Sequence, residues 1–250
     1  MTCKVWLVGA GPGSADLLTV RAARLIESAE ALLYDALADM EIVALAPAGC
    51  LKIQTGKRAG KASMAQAEIN ALMLRLAKKG LKVVRLKGGD PSVFGRVGEE
   101  ADYLEAQGVA VEIVPGVTAA SAAAAQFAFP LTHRGEARRI VLATATLTNG
   151  ALQTEGWGAL ADAQSTVALY MARDCAGIVA ARLMAEGRAG STPVVAVENA
   201  GRAEARLIEA TLADLGAVVE AAGCVGPVVL VIGEVTARAA RFAAPISRRA

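Results

Sequence analysis

The sequence predicts an α/β protein of two α/β domains, the first on a mainly parallel sheet and the second on a mixed one. Two observations carry this. In the first half, short apolar runs alternate with stretches of helical period, the pattern of βαβ crossovers. In the second half, "ENAGRAEARLIEATL" (198–212) reads as two strands joined by a tight connection, hence antiparallel pairing. "VPGVT" places the boundary near 115, giving domains of 1–115 and 116–250.

The elements follow in order. "KVWLVG" (4–9) reads as a buried strand, "TVRAARLIESA" (19–29) as a helix and "ALLYD" (31–35) as a second strand. "CLKIQTG" (50–56) gives a third. In "MAQAEINALMLRLAKKG" (64–80), Ile69, Leu72, Met73 and Leu76 share one helical face. Lys78 and Lys79 fill the last turn, and Gly80 ends it. "KVVRLKGG" (82–89) is a fourth strand, "VGEEADYLEAQG" (97–108) a helix and "VAVEIVPG" (109–116) a fifth strand. Beyond the boundary, strands are expected at 139–145, 166–172, 193–200, 205–212 and 227–235. Helices are expected near 175–186 and 213–222, and a frayed basic tail follows.

Composition excludes several classes. The chain of 250 residues is 54% hydrophobic and carries a formal net charge of +2, so no global basic field argues for nucleic acid. No apolar run reaches the roughly 18 residues of a membrane span. Nor does the N-terminus read as a signal peptide. The four cysteines, Cys3, Cys50, Cys175 and Cys224, form no CxxC pair and read as reduced thiols of a cytoplasmic protein. His133 is the single histidine, which argues against a histidine metal site; none is expected.

The chemically loaded residues all follow strands, where ligands bind in parallel α/β sheets. "GAGPG" (9–13) resembles a dinucleotide turn. The third glycine is missing, however, and Pro12 removes an N–H that a pyrophosphate would use, which disfavours NAD. Asp35 ends the second strand, either as a cap for the next helix or as a carboxylate at the mouth of the sheet. Lys57 and Arg58 lie between glycines, a solvated pair or a loop that hugs a ligand. In "LKGGDPSVFGR" (86–96), Gly88 and Gly89 permit close approach, and Asp90–Pro91 stops the strand. Phe94 forms an apolar wall or part of the core. Arg96 is solvated or grips a carboxylate. "PGVTAASAAAA" (115–125) opens a helix whose small residues serve packing or leave room for a flat ligand. "PLTHRG" (130–135) sets His133 beside Arg134 in a loop.

Taken together, "GAGPG…LLT", "YD.L", "GKRAG", "EIN.L", "RLKGGDP.VFGR", "VPGVTAA", "PLTHRG" and "YM" resemble the uroporphyrinogen-III C-methyltransferase branch of the tetrapyrrole methylases, across nearly the whole chain. The resemblance implies two α/β domains with an active-site cleft between them, a homodimer, and S-adenosylmethionine (SAM) as methyl donor. It implies a small tetrapyrrole substrate methylated twice, to precorrin-1 and then precorrin-2, and neither nucleic acid nor membrane as partner. By the family pattern, Asp35 corresponds to the base, Lys57 to the proton donor, and Arg96 to a residue serving both catalysis and substrate. SAM contacts map to Pro12, Gly88, Gly89, Asp90, Val93, Thr118, Ala119, Met171 and Ala200. Substrate contacts map to Arg96, Glu99 and Arg134. The chain departs from the pattern at Ala36, Val97, Ala145, Thr146, Ala172 and Ala200. The alternatives are a methyltransferase for another tetrapyrrole and a non-catalytic relative that binds SAM or tetrapyrrole.

Overall fold

The computed structural model describes residues 3–56, 64–145, 147–148, 151–152 and 156–239. Contacts divide the chain into two compact units, Met1–Thr118 and Ala119–Ala250. Pro115–Thr118 thus falls on the first side of the division. The reason is packing: the backbone of Gly116 lies against Gly9 and Gly89 of the first sheet.

The first unit holds β1 (Lys4–Gly9), α1 (Val20–Glu27), β2 (Ala31–Tyr34), α2 (Met40–Ala44), β3 (Leu51–Gln54), α3 (Gln66–Lys78), β4 (Val83–Lys87), α4 (Val97–Ala106) and β5 (Ala110–Val114). Its five strands run in the order β3-β2-β4-β1-β5, every neighbour parallel. The helices are bounded as their sequences dictate. Thr19 caps α1 by accepting the Ala22 N–H at 3.2 Å. Glu68 reaches back to accept the Ala65 N–H at 2.8 Å ahead of α3. Gly80 and Gly108, at φ +81° and +75°, turn the chain out of α3 and α4. The β1 and β4 residues alternate between two cores. Val5, Leu7 and Val83 pack with Met73, Leu76 and Leu104 beneath α3 and α4, while Val8, Val84 and Leu86 pack with Ile26 and Ile42 beneath α1 and α2.

The second unit holds α5 (Ala119–Gln126), β6 (Arg139–Thr144), β7 (Leu147–Thr148), β8 (Ala151–Leu152), β9 (Ser165–Tyr170), α6 (Ala176–Ala185), β10 (Pro193–Glu198), β11 (Arg206–Thr211), α7 (Leu215–Ala221) and β12 (Val228–Ile232). Its sheet runs β11-β10-β12-β9-β6. β6 and β9 are parallel; the remaining pairs, the expected β10–β11 hairpin included, are antiparallel. α5 answers a question the sequence left open. Ala120, Ala123 and Ala124 are buried in the core with Val195, Val197 and Val229, so its small residues serve close packing.

Arg188 is a buried residue the sequence did not single out. It donates to the carbonyls of Leu160 (2.7 Å), Ser165 (2.9 Å) and Ile232 (3.3 Å), joining three segments of the unit. The β7–β8 pair was also not anticipated, because it carries no periodic apolar pattern.

Candidate functional site

The first sheet ends its strands in a knot of backbone. Beyond β1 and β4 the chain continues to pair: the Gly11 N–H donates to the Gly89 carbonyl (3.1 Å), and the Gly89 N–H to the Gly11 carbonyl (2.7 Å). β5 delivers Gly116 to the same place. A Cβ at Gly9 would lie 2.7 Å from Gly116 Cα, and one at Gly116 would lie 2.3 Å from the Gly89 carbonyl oxygen. No side chain fits between these three turns. Gly89 differs from the other two: its φ is +70°, and no atom lies within 4 Å of where a Cβ would stand. One side of its backbone therefore faces open space. Gly88 is explained otherwise, since a Cβ there would meet Leu37 Cβ at 2.6 Å.

Two carboxylates fix these turns. Asp90 Oδ2 accepts the Gly116 N–H at 2.9 Å, and Oδ1 accepts the Ser92 N–H at 2.8 Å together with the Ser92 hydroxyl. Burial works against the charged form of Asp90, but these hydrogen bonds outweigh it and hold its carboxyl below the usual carboxylate value. Asp35 Oδ1 accepts the N–H groups of Leu37 (2.9 Å) and Ala38 (3.1 Å), and Oδ2 accepts that of Gly88 (3.2 Å). The helix-cap reading of Asp35 does not hold, because α2 is capped by Asp39, whose Oδ1 accepts the Glu41 N–H at 2.9 Å. Asp35 instead ties the end of β2 to the end of β4.

Beneath this edge lies a buried ion cluster. Glu100 is fully buried, and Arg85 and Lys87 are 4% and 5% exposed. Glu100 accepts from Lys87 Nζ (2.7 Å), Gln66 Nε2 (3.0 Å) and Arg85 Nε (3.2 Å). Arg85 also donates to Thr55 Oγ1 (3.0 Å), whose hydroxyl donates to the Tyr34 carbonyl (3.1 Å). Burial pushes the Lys87 ammonium below the usual lysine value, against the pull of Glu100. The cluster joins the carboxyl ends of β2, β3 and β4; Asp35 follows the first of these and Gly88–Asp90 the last. A sequence signal for it existed: two cations at alternate positions of an otherwise apolar strand share a face and need an anion.

The structure brings Asp35, Gly88, Gly89 and Asp90 together with the turn that holds Pro12. The Val93 N–H donates to the Asp90 carbonyl at 3.1 Å, which places Val93 on the same loop. Arg96 starts α4 at φ +57° and meets Glu99 in a side-on pair, Nε to Oε1 at 2.8 Å and a second nitrogen to Oε2 at 2.6 Å. Both side chains are more than half exposed. Lys57, Arg58 and Thr146 lie outside the described residues.

In the second unit, Tyr170 and Glu198 end β9 and β10 on one edge of the sheet. Met171 follows with its side chain exposed, 59% accessible, at φ +56°. Asn199, at φ +54°, leads into buried Ala200, which shares a core with Ala119 and Tyr170. The Ala120 N–H donates to Tyr170 Oη at 3.2 Å. Buried Glu198 fastens this turn by accepting the N–H groups of Val225 and Gly226 at 2.7 Å each. Arg134 is exposed in its loop, and neighbouring His133 Nδ1 lies 3.5 Å from Glu136 Oε1. Phe94, Arg96, Met171 and Asn199 are four of the five non-glycine residues with positive φ among those described. Such conformations cost roughly 1–3 kcal/mol each and gather where function holds them.

Known proteins carry the same pattern. The family model described as tetrapyrrole (corrin/porphyrin) methylases matches residues 4–216. The chain is 42% identical over 232 residues to a siroheme synthase of Azotobacter vinelandii, covering 93% of itself and 50% of that protein. It thus spans about half the length of that relative. It is 42% identical over 236 residues to an S-adenosyl-L-methionine-dependent uroporphyrinogen III methyltransferase of Methanosarcina barkeri, covering 93% of itself and 91% of that protein. Among solved structures, a uroporphyrin-III C-methyltransferase of Thermus thermophilus, crystallised with S-adenosylhomocysteine, superposes with a TM-score of 0.78. That match has 38% identity and covers 97% of each chain.

Proposed function

This chain belongs to the tetrapyrrole (corrin/porphyrin) methylases, and on that premise we propose that it methylates carbon atoms of uroporphyrinogen III with SAM, giving precorrin-1 and then precorrin-2. The observation that carries the reading is the turn at Gly89, open on one side and fixed on the other by Gly9, Gly11 and Gly116. It offers backbone to a ligand at the carboxyl edge of a parallel sheet, and it lies within the sequence shared with the relatives.

The residues present fit the cofactor. The open flank of Gly89 leaves room that any side chain would take. Pro12, Gly88, Gly89, Asp90, Val93 and Thr118 would hold it in the first unit. Ala119, Met171 and Ala200 carry the same assignment in the second. When bound, SAM supplies a methyl group already activated on a sulfonium. The chain's own task is orientation and proton handling, and alignment of this kind is worth up to about 7–11 kcal/mol. Three N–H donors fix the direction of the Asp35 carboxylate. A carboxylate has about four acceptor positions, so one remains to take the proton released at the methylated carbon. Lys57 is assigned the role of proton donor. Arg96 and Arg134, with Glu99, are assigned to the acidic side chains that ring the substrate. Arg134 has no carboxylate partner among the described residues that would compete for it.

The same reading carries a homodimer in the cytoplasm with no nucleic-acid partner. Sedimentation of the purified chain tests the dimer. The activity is tested by anaerobic incubation with SAM and uroporphyrinogen III, followed by mass spectrometry of the tetrapyrrole. A gain of two methyl groups is the expected result. No gain, with SAM still bound, would overturn the substrate assignment.

A further inference from the structure

We infer that the first unit carries a second ligand site, for a compact multivalent anion, at the opposite edge of its sheet. A groove of about 750 Å³ is lined by Lys4, Trp6, Arg21, Arg24, Lys82 and Glu112, with Val20, Leu25 and Ser28. Lys4 opens β1, Lys82 immediately precedes β4 and Ser28 follows α1, so the groove begins at the amino ends of the strands; from there it runs along α1 to Arg21 and Val20 at the start of that helix. Asp35, Gly89 and Asp90 follow the carboxyl ends. An anion held by Lys4, Arg24 and Lys82 would therefore be bound apart from those residues.

The charges in this groove converge instead of spreading. Four cations from three segments of chain meet one carboxylate. Glu112 accepts from Lys4 Nζ at 2.6 Å and also pairs with Arg21. Lys82 donates its ammonium to the Ser28 hydroxyl, and no carboxylate pairs with the side chains of Lys82 or Arg24 among the described residues. Glu30 accepts the Lys82 backbone N–H at 2.7 Å and brings a second negative charge to this end of the groove. The ammonium groups of Lys4 and Lys82 stand 5.3 and 5.5 Å from the centroid of the Trp6 ring. Cation–π contact holds them in place. It also occupies the ring, so the groove selects by charge and not by stacking on an aromatic ligand. The carboxyl end of α1 supplies about half a negative charge, which offsets one cation in part. With Glu112 and Glu30 also counted, an excess of between one and two positive charges remains, which a multivalent anion relieves. Clustered phosphates or carboxylates supply that chemistry, and the volume suits a small molecule.

The test is thermal unfolding of the full chain, without substrate, in pyrophosphate, in citrate and in sodium chloride of matched ionic strength. A saturable rise in Tm with pyrophosphate or citrate, absent with chloride, is expected. Whichever of the two gives the lower midpoint identifies phosphate or carboxylate as the source. Arg24→Ala with Lys82→Ala is expected to weaken the midpoint about tenfold or more, while S-adenosylhomocysteine affinity is unchanged. Glu112→Gln is expected to tighten it, because the competing carboxylate is gone. A rise that follows ionic strength alone, an equal midpoint in the double variant, or weaker binding by Glu112→Gln would overturn the proposal. Because no turnover is measured, these outcomes do not depend on the proposed methyl transfer.

Discussion

Gly9 and Gly116 pack backbone against backbone, so closely that a Cβ on Gly9 would lie 2.7 Å from both Cα and N of Gly116. Neither neighbour is the end of a flexible side chain, so relief requires moving a turn. Gly116→Ala is expected to cost about 1–3 kcal/mol in denaturant unfolding. It should also weaken S-adenosylhomocysteine binding by calorimetry, since the displaced turn carries Gly89. Unchanged stability would mean that the turns yield freely.

Asp90 ties acid sensitivity to the same junction. Its folded value lies below the reference of 3.8. Its contribution to stability is therefore fully present above that pH and is lost as pH falls through the folded value. The advantage of the native chain over Asp90→Asn should be constant above about pH 5 and shrink in more acidic solution. Unfolding curves across that range check the slope.

Glu100 is the anion that Arg85 and Lys87 share, 3.2 and 2.7 Å away. Glu100→Gln leaves two buried cations without a counter-charge, a loss of roughly 3–5 kcal/mol. Glu100→Asp restores the charge and should recover part of it. Urea midpoints of the three proteins decide.

Asp35→Asn keeps an oxygen for the Leu37 and Ala38 N–H groups, but it loses the acceptor of the Gly88 N–H and removes the proton acceptor. Turnover should fall by about 10²–10⁴-fold while the chain still folds and cofactor affinity falls far less. Single-turnover assays beside calorimetry separate the two. Full activity would remove Asp35 from the mechanism.

Arg96 already offers its fork to Glu99, in a pair exposed enough to be exchanged for a substrate carboxylate. Arg96→Ala is expected to raise KM for the tetrapyrrole about tenfold with cofactor affinity unchanged. Glu99→Gln should not raise KM. If it does, Glu99 itself holds substrate.

Much of this was legible in the sequence, for reasons that differ between residues. Strands β1 and β4 announce themselves through apolar runs that end in glycine, and Asp35 and Asp90 through their places just beyond strands. Gly88 and Gly89 look alike in sequence, yet one is required by Leu37 and the other by its own positive φ beside an open flank. That difference depends on which segment lies opposite, which local pattern does not encode. The partners of Arg85, Lys87 and Arg188 were hidden for the same reason: each is satisfied by chain that is distant in sequence. The pairing of Arg96 with Glu99, by contrast, is a helical i, i+3 relation open to direct reading.

The junction of Gly9, Gly89 and Gly116 also bears on the order in which the molecule assembles. β1 leaves the ribosome before both of its neighbours in the sheet, β4 and β5. Loop closure over such separations is slow. The three turns meet only after β4 and β5 have both paired with β1. The ability to bind the cofactor is then among the last properties a nascent chain acquires, and recovery of that binding after dilution from denaturant marks completion of the first unit.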